Sequence, residues 1–289
     1  MRKIFKVKDK KLKFVPNLKN YDEEYKKFNW KQVEKEFSDN WNIAFQIDKN
    51  KSDKIALYWE DNGKDKKFSF KELSQLSSKF ANLFKKKGVK KGDRCFIFLS
   101  RIPELYFAFL GILKIGAVAT ILFPAFGKAG VSDRLKRAEA KVLITNSELY
   151  ERVDKKLVKN VIVVDEKKFK NEFDAESEKF EIAKMNKDDA ALMMFTSSTS
   201  GTPVEGIILP HHAIVQQYYT GKWVLDFKDD VYWCTADPGW ITGVVYGIIS
   251  PWLNGISIVA YEGRFSAEKW SEILNKYKVS VLYTAPTAI

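Results

Sequence analysis

From Thr196 to Ser200 the chain sets five hydroxyl residues in unbroken succession, Thr196, Ser197, Ser198, Thr199 and Ser200, and closes them with Gly201. They follow directly on the apolar run Met193-Met194-Phe195. Consecutive hydroxyls and backbone N–H groups can converge on an anion, and small side chains beside a glycine let the main chain approach it closely. Phosphate binding is the chemistry such a ribbon suits, and a solvated turn has the same composition. A Walker-type loop is excluded, because no GK[ST] is present. A second stretch, "DPGWITG" at 237–243, combines Trp240, Ile241, Thr242 and Gly243. Trp240 can wall a small pocket and Ile241 can limit its depth, while Gly239 and Gly243 allow a tight turn around a ligand. Trp240 also fits a core aromatic at a sheet end. Asp237 reads as the cap of the turn before Pro238 rather than as a general base. His211 and His212 follow Pro210 at a helix start and read as capping or exposed residues. They are the only histidines, which excludes a multi-histidine metal site.

The elements that must position these loops alternate. "KIALYWED" reads as a strand. "FSFKELSQLSSKFANLFKKKG" reads as a helix opened by a Ser69–Glu72 capping box and ended at Gly88. Strand "RCFIFLS", a helix from Pro103, strand "AVATILF", helix "GVSDRLKRAEA" and strand "KVLITNS" follow. After a charged connector near 165–188 the alternation resumes through "DDAALMMF", "VYWCTAD", "SIVAYEG" and "VSVLYTAP", with helices between. Short connections between alternating strands and helices imply parallel pairing and right-handed crossovers, hence an α/β fold of two successive βα-repeat subdomains with largely parallel sheets. The expected division is an N-terminal helical extension at 1–50, a first subdomain at 51–175 and a second at 176–289. In the extension, Tyr25, Phe28, Trp30, Val33 and Phe37 are expected to pack on the body. Ligands in such sheets gather at the carboxyl ends of strands, where loops 196–206 and 236–243 both fall.

Bulk properties narrow the function classes. The net charge of +12 comes from 49 Lys and Arg against 37 Asp and Glu, spread through the first 180 residues rather than gathered on one arm. That pattern argues for a lysine-rich soluble surface and against a nucleic-acid binder. Cys95 and Cys234 stand far apart in apolar surroundings and read as buried thiols of a cytoplasmic protein. The apolar run at 105–123 approaches membrane-spanning length, but Lys114 and Gly116 divide it into a helix and a buried strand, so no membrane segment is expected.

"FTSSTSGTP" resembles the phosphate-binding motif of the adenylate-forming ligase superfamily, T-S-G-[ST]-T-G-x-P-K-G. The block "GKWVLDFKDDVYWCTADPGWITGVVYGIISPWLNG", with "VLYTAPTAI" and "NYDEEYKKFNWK", resembles AMP-forming acetyl-CoA synthetases over essentially the whole sequence. The resemblance implies the large N-terminal domain of these ligases. It also implies activation of acetate with ATP to an acetyl-adenylate, followed by transfer of the acetyl group to coenzyme A, with Mg²⁺ assisting the leaving pyrophosphate. It casts Thr196–Gly201 as the phosphate cradle and Trp240, Ile241, Thr242 and Gly243 as lining of the acyl pocket and coenzyme A channel. Ser266, in the "YEGRFS" turn, would border the coenzyme A side.

Three departures from the pattern accompany it. Ser198 stands where the motif has its first glycine. Pro203-Val204-Glu205-Gly206 replaces P-K-G and lacks the lysine. The adenine-pocket segment and the C-terminal domain with its catalytic lysine have no counterpart in these 289 residues, so the implied partners are acetate, ATP, coenzyme A and a separately encoded C-terminal portion. A catalytically silent relative that holds an adenine nucleotide or coenzyme A weakly, and a synthetase for another short acid, are the alternative expectations.

Overall fold

The computed structural model describes residues 15–61, 63–195 and 206–288. Eleven strands among them form two sheets. One sheet contains β1 (Ile55–Asp61), β2 (Lys64–Ser69), β9 (Val231–Cys234), β10 (Ser257–Tyr261) and β11 (Val281–Tyr283), in the order β11-β9-β10-β1-β2. The other contains β3 (Arg94–Phe98), β4 (Val118–Ile121), β5 (Val142–Thr145), β6 (Asn160–Val163), β7 (Ala190–Phe195) and β8 (Gly206–Pro210), in the order β6-β5-β3-β4-β7-β8. Pairing is parallel except at the two hairpins, β1–β2 and β7–β8.

Each sheet draws strands from both sides of residue 175. β1 and β2 join β9–β11, while β7 and β8 extend the sheet of β3–β6. The sheets are therefore interleaved along the chain rather than successive. Parallel strands need long crossovers, and a crossover can return the chain to either sheet at the same local cost.

The strands show why the layers stack. In β3 and the residue after it, Cys95, Ile97 and Leu99 enter one core while Phe96 and Phe98 enter another, as the two-residue period requires. In β10, Ile258 and Ala260 face the first core, and Val259 and Tyr261 face a third. The shared central core holds helices Phe70–Lys86 and Pro103–Ile115 between the sheets. Helices Lys128–Arg137 and Ala267–Lys276 cover the two outer faces. The central helices approach closely at Gly111, where an added Cβ would lie 2.7 Å from the Phe80 Cβ.

The helix from Pro103 ends at Gly116, whose φ of +80° makes the left-handed C-cap. Lys114, fully buried near its end, pairs with Asp48 at 2.8 Å and donates to the Ser74 carbonyl and Ser78 hydroxyl. No described helix is long and apolar enough to cross a membrane. The Ser69–Glu72 capping box is formed in both directions.

Three local expectations need correction. Val33 and Phe37 are buried, whereas Tyr25 and Trp30 are mostly exposed. The helices Tyr21–Lys27 and Trp30–Glu34 are short, so their aromatics spread around the axis instead of forming one buried stripe. Cys95 is buried, but Cys234 is only half-buried. His211 is neither a cap nor exposed. It is fully buried, because the segment carrying Ile43 folds over it and donates a backbone N–H to its Nδ1 at 3.2 Å.

Candidate active site

The carboxyl ends of β3, β4, β5, β9 and β10 open on a common cleft of about 720 Å³. Ser100 and Arg101 reach it from the loop after β3, Phe123 from that after β4, and Arg152 from the short helical stretch after β5. Asp237 comes from the loop after β9, and Glu262 and Arg264 from the loop after β10. The interleaving of the two sheets brings these loops together. Strand ends of both sheets meet at this crevice, the place where α/β sheets bind ligands.

Asp237, at the head of the segment 237–243, lines one side. The Asp237 carboxylate accepts the Gly239 N–H at 2.8 Å, and the Asp237 carbonyl accepts the Trp240 N–H at 2.9 Å. This is an Asx turn, which fixes where Trp240 points. Gly239 is needed for close approach, since a Cβ there would lie 2.7 Å from the backbone of Phe123. A methyl on Gly243 would run into the Asp237 carbonyl. Trp240 is 39% exposed and its ring lies 5.7 Å from that of Phe123, so it walls an opening instead of filling the core. Ile241 is exposed beside it, Thr242 is half-buried and Gly243 buried. The helix that starts at Ile241 widens into a π turn at Val245–Ile249. Pro251 has no N–H to offer the Gly247 carbonyl, and helices loosen at such points, often beside functional sites.

The cleft carries three guanidinium groups and three carboxyls, Glu148, Asp237 and Glu262. Arg101 donates to the Thr235 carbonyl at 3.4 Å. Arg152 donates to the Pro124 carbonyl at 2.9 Å and lies 3.5 Å from Glu148. Burial pushes the Asp237 carboxyl above the usual carboxylate range, opposed by the Gly239 N–H and by Arg101. Burial does the same to Glu262, opposed mainly by the Ser100 hydroxyl, which donates to it at 2.6 Å. Two of the three acids thus hold their negative charge weakly beside three guanidinium groups, which favours an anionic group in the cleft.

Ser266 lies two residues beyond Arg264 and caps helix Ala267–Lys276 by accepting the Lys269 N–H at 3.3 Å. The sequence singled out Trp240, Ile241, Thr242, Gly243 and Ser266; none of these five is among the residues that line the cleft, although Trp240 packs beside Phe123, which does, and Ser266 lies at the foot of one of its loops. Thr196, Ser197, Ser198, Thr199, Ser200 and Gly201 lie outside the described residues. Their flanks do not: Phe195 ends β7, and Gly206 pairs with it across the hairpin. The residues that sequence reasoning missed are Ser100, Arg101, Arg152, Glu262 and Arg264, scattered over three separate loops. Their one shared signal is position between the carboxyl end of a strand and the next strand or long helix, and Arg152 lies beyond the short helix Ser147–Tyr150.

The family model described as AMP-binding enzyme matches residues 44–289. The chain belongs to the AMP-binding enzyme family. Within that family it is similar to the acetyl-coenzyme A synthetase of Bacillus subtilis (strain 168), 46% identical over 94% of this chain and 51% of that protein. It is similar also to that of Methanothrix thermoacetophila, 36% identical over 82% of this chain and 41% of that protein. The fold resembles the crystal structure of Brucella canis acyl-CoA synthetase with a TM-score of 0.84 and 25% identity, over 93% of this chain and 52% of that one. The chain spans about half the length of the curated relatives it matches. Among the described residues no three His, Cys, Asp or Glu side chains converge as a metal site.

Proposed function

We propose that this chain provides the ATP-phosphate, acyl and coenzyme A surfaces of an AMP-forming acetate–CoA ligase. The reading rests on the wall formed by Trp240 against Phe123, which joins the loop after β9 to the arginine cleft. The acetyl-coenzyme A synthetases it resembles support acetate as the acid. In the first step a carboxylate oxygen attacks the α-phosphorus of ATP, and pyrophosphate leaves. In the second the coenzyme A thiol attacks the acyl carbon, and AMP leaves. The residues of this chain bind and orient. The hydroxyl ribbon Thr196–Gly201 would hold the leaving phosphates through backbone N–H and hydroxyl donors. Trp240 and Ile241 would limit the acyl pocket and exclude water from the adenylate. Arg101, Arg152 and Arg264 would meet the phosphate end of coenzyme A in the cleft, with Thr242, Gly243 and Ser266 along the path of its thiol arm.

The two free cysteines fit a reducing compartment, and the proposed location is the cytoplasm. Burial pushes the Cys95 thiol up to about 12, so it rests protonated and takes no part.

The test combines this chain with a polypeptide equivalent to the remaining half of the relatives and measures AMP formation. Turnover that requires acetate and coenzyme A together supports the reading. Absence of AMP, where an intact relative turns over under the same conditions, rejects it.

A further inference from the structure

A cavity of about 490 Å³, apart from the arginine cleft, opens where the N-terminal helices Tyr21–Lys27 and Trp30–Glu34 meet the end of helix Ile214–Trp223. Five of its seven lining residues are aromatic: Tyr21, Tyr25, Phe28, Trp30 and Trp223. Its volume suits a small molecule. Local bonds hold the walls in place. The Asn17 side-chain amide donates to the Lys222 and Phe227 carbonyls at 2.9 and 2.8 Å, which ties the approach to the first helix to the end of Ile214–Trp223. Asn20 and Asn29 cap the two short helices. The rings of Tyr21 and Tyr25 stack at 5.9 Å, whereas Phe28 meets Trp30 at 4.9 Å and Trp223 at 5.6 Å, with interplanar angles of 88° and 70°. Rings set nearly at right angles turn faces toward one space from several sides. Tyr21, Tyr25 and Trp30 stay exposed, so packing leaves their faces open.

Electrostatics selects the occupant. Aromatic faces carry the negative part of the ring quadrupole and attract cations, most strongly where water is displaced. Glu24 is the only charged residue of the lining, and among the described residues its carboxylate has no ion pair or hydrogen bond. Its neighbour Glu23 takes Lys27 at 3.8 Å and the Asn20 amide at 3.0 Å. Among the described residues no lysine or arginine is seated on the five rings either, although Lys222 stands 5.7 and 5.9 Å from the adjoining rings of Tyr218 and Tyr219. The cavity thus offers ring faces and one negative charge with no cation to meet them. A primary ammonium brings three N–H groups that need acceptors, and this lining serves them poorly. A quaternary ammonium has no N–H to satisfy and buries its methyl groups against the rings.

We propose that this cavity binds a small quaternary-ammonium compound, with Tyr25, Trp30 and Trp223 caging the cation and Glu24 as its counter-charge. The site is independent of the ligase reading.

The experiment titrates the full chain at constant ionic strength with choline, with its neutral isostere in which carbon replaces nitrogen, and with ethanolamine, a primary ammonium. Calorimetry and tryptophan fluorescence read the binding. Choline is expected to bind about ten-fold or more tightly than either of the others. Trp30→Leu and Glu24→Gln are each expected to weaken choline by about five-fold or more, and Tyr25→Phe, which keeps the ring, to leave it unchanged. Equal binding of the neutral isostere overturns the proposal, because it would mark a plain apolar pocket. Equal binding of ethanolamine overturns it as well. Choline affinity that survives Trp30→Leu places the cation elsewhere and overturns it. Should Trp30→Leu lose its circular dichroism, Tyr25→Leu decides, and unchanged choline affinity in that variant is again fatal. Absence of any choline signal at millimolar concentration overturns the proposal, as does self-association through this face that Trp30→Leu abolishes and choline does not compete.

Discussion

His211 ties the hairpin carrying the hydroxyl ribbon to the N-terminal segment, and acid should cut that tie. Its backbone N–H donates to the Asp189 carbonyl at 2.9 Å, and its Nδ1 accepts the Ile43 N–H at 3.2 Å. Nδ1 is therefore the unprotonated nitrogen, and a proton placed there would end the bond to Ile43. Burial lowers the ring's pKa from 6.5 to about 4, with Asp189 pulling it up and Lys91 pushing it down. As the pH falls the unfolded chain takes up this proton first. The stability is thus complete above pH 6.5 and lost as the pH falls through about 4. The displacement amounts to about 3 kcal/mol in all, of which about 2.5 kcal/mol is gone by roughly pH 4.5. His211→Asn offers an oxygen in place of Nδ1 and does not titrate. Urea unfolding of both proteins at about pH 7.5 and pH 4.5 isolates the effect, because the carboxylates that also weaken in acid, among them Asp39 and Asp189, are common to both. The variant should gain about 2.5 kcal/mol on the unaltered chain between the two conditions. Parallel pH profiles would refute the reasoning.

Three further outcomes follow from the same contacts. Asp48→Asn strands the buried Lys114 ammonium and should cost about 3–5 kcal/mol, read by urea denaturation, with much of it recovered in Asp48→Asn/Lys114→Met. Gly243→Ala drives a methyl into the Asp237 carbonyl and should cost about 1–3 kcal/mol while shifting the tryptophan fluorescence as Trp240 moves; an unchanged spectrum would refute the close packing. On the proposed reading of the cleft, Arg264→Gln should weaken coenzyme A by about ten-fold in calorimetry and leave pantetheine, which lacks the nucleotide phosphates, untouched.

The local grammar of the fold was legible in the residues. The Ser69–Glu72 box, the Pro103 start and the Gly116 stop each express a backbone requirement met within a few residues, and each stands in the structure as read. The helix Lys167–Asp174 was harder to see inside a charged stretch, because only Phe169 is buried from it. Strand β2 was hidden for a similar reason: it is an edge strand, and all but its last two residues are exposed, Lys64, Asp65, Lys66 and Lys67. Sheet membership was not legible at all. β3 and β10 show the same alternation of faces, and nothing in either pattern says which parallel neighbour it will take.

That limit explains which candidate residues a sequence can announce and which it cannot. The hydroxyl ribbon and the "DPGWITG" turn are each continuous in sequence, so their composition announces them. Arg101, Arg152 and Arg264 come from loops after β3, β5 and β10, and in sequence each looks like one more solvated cation in a chain with 49 lysines and arginines. The cleft exists because β3–β5 and β9–β10 present their carboxyl ends to a common crevice, and β10 is held in its sheet by parallel pairing with β1. A cleft assembled by long-range parallel pairing is therefore sensitive to that pairing. Disrupting the β1–β10 register should weaken anion binding in the arginine cleft, because Arg264 follows β10 while Arg101 and Arg152 follow strands of the other sheet.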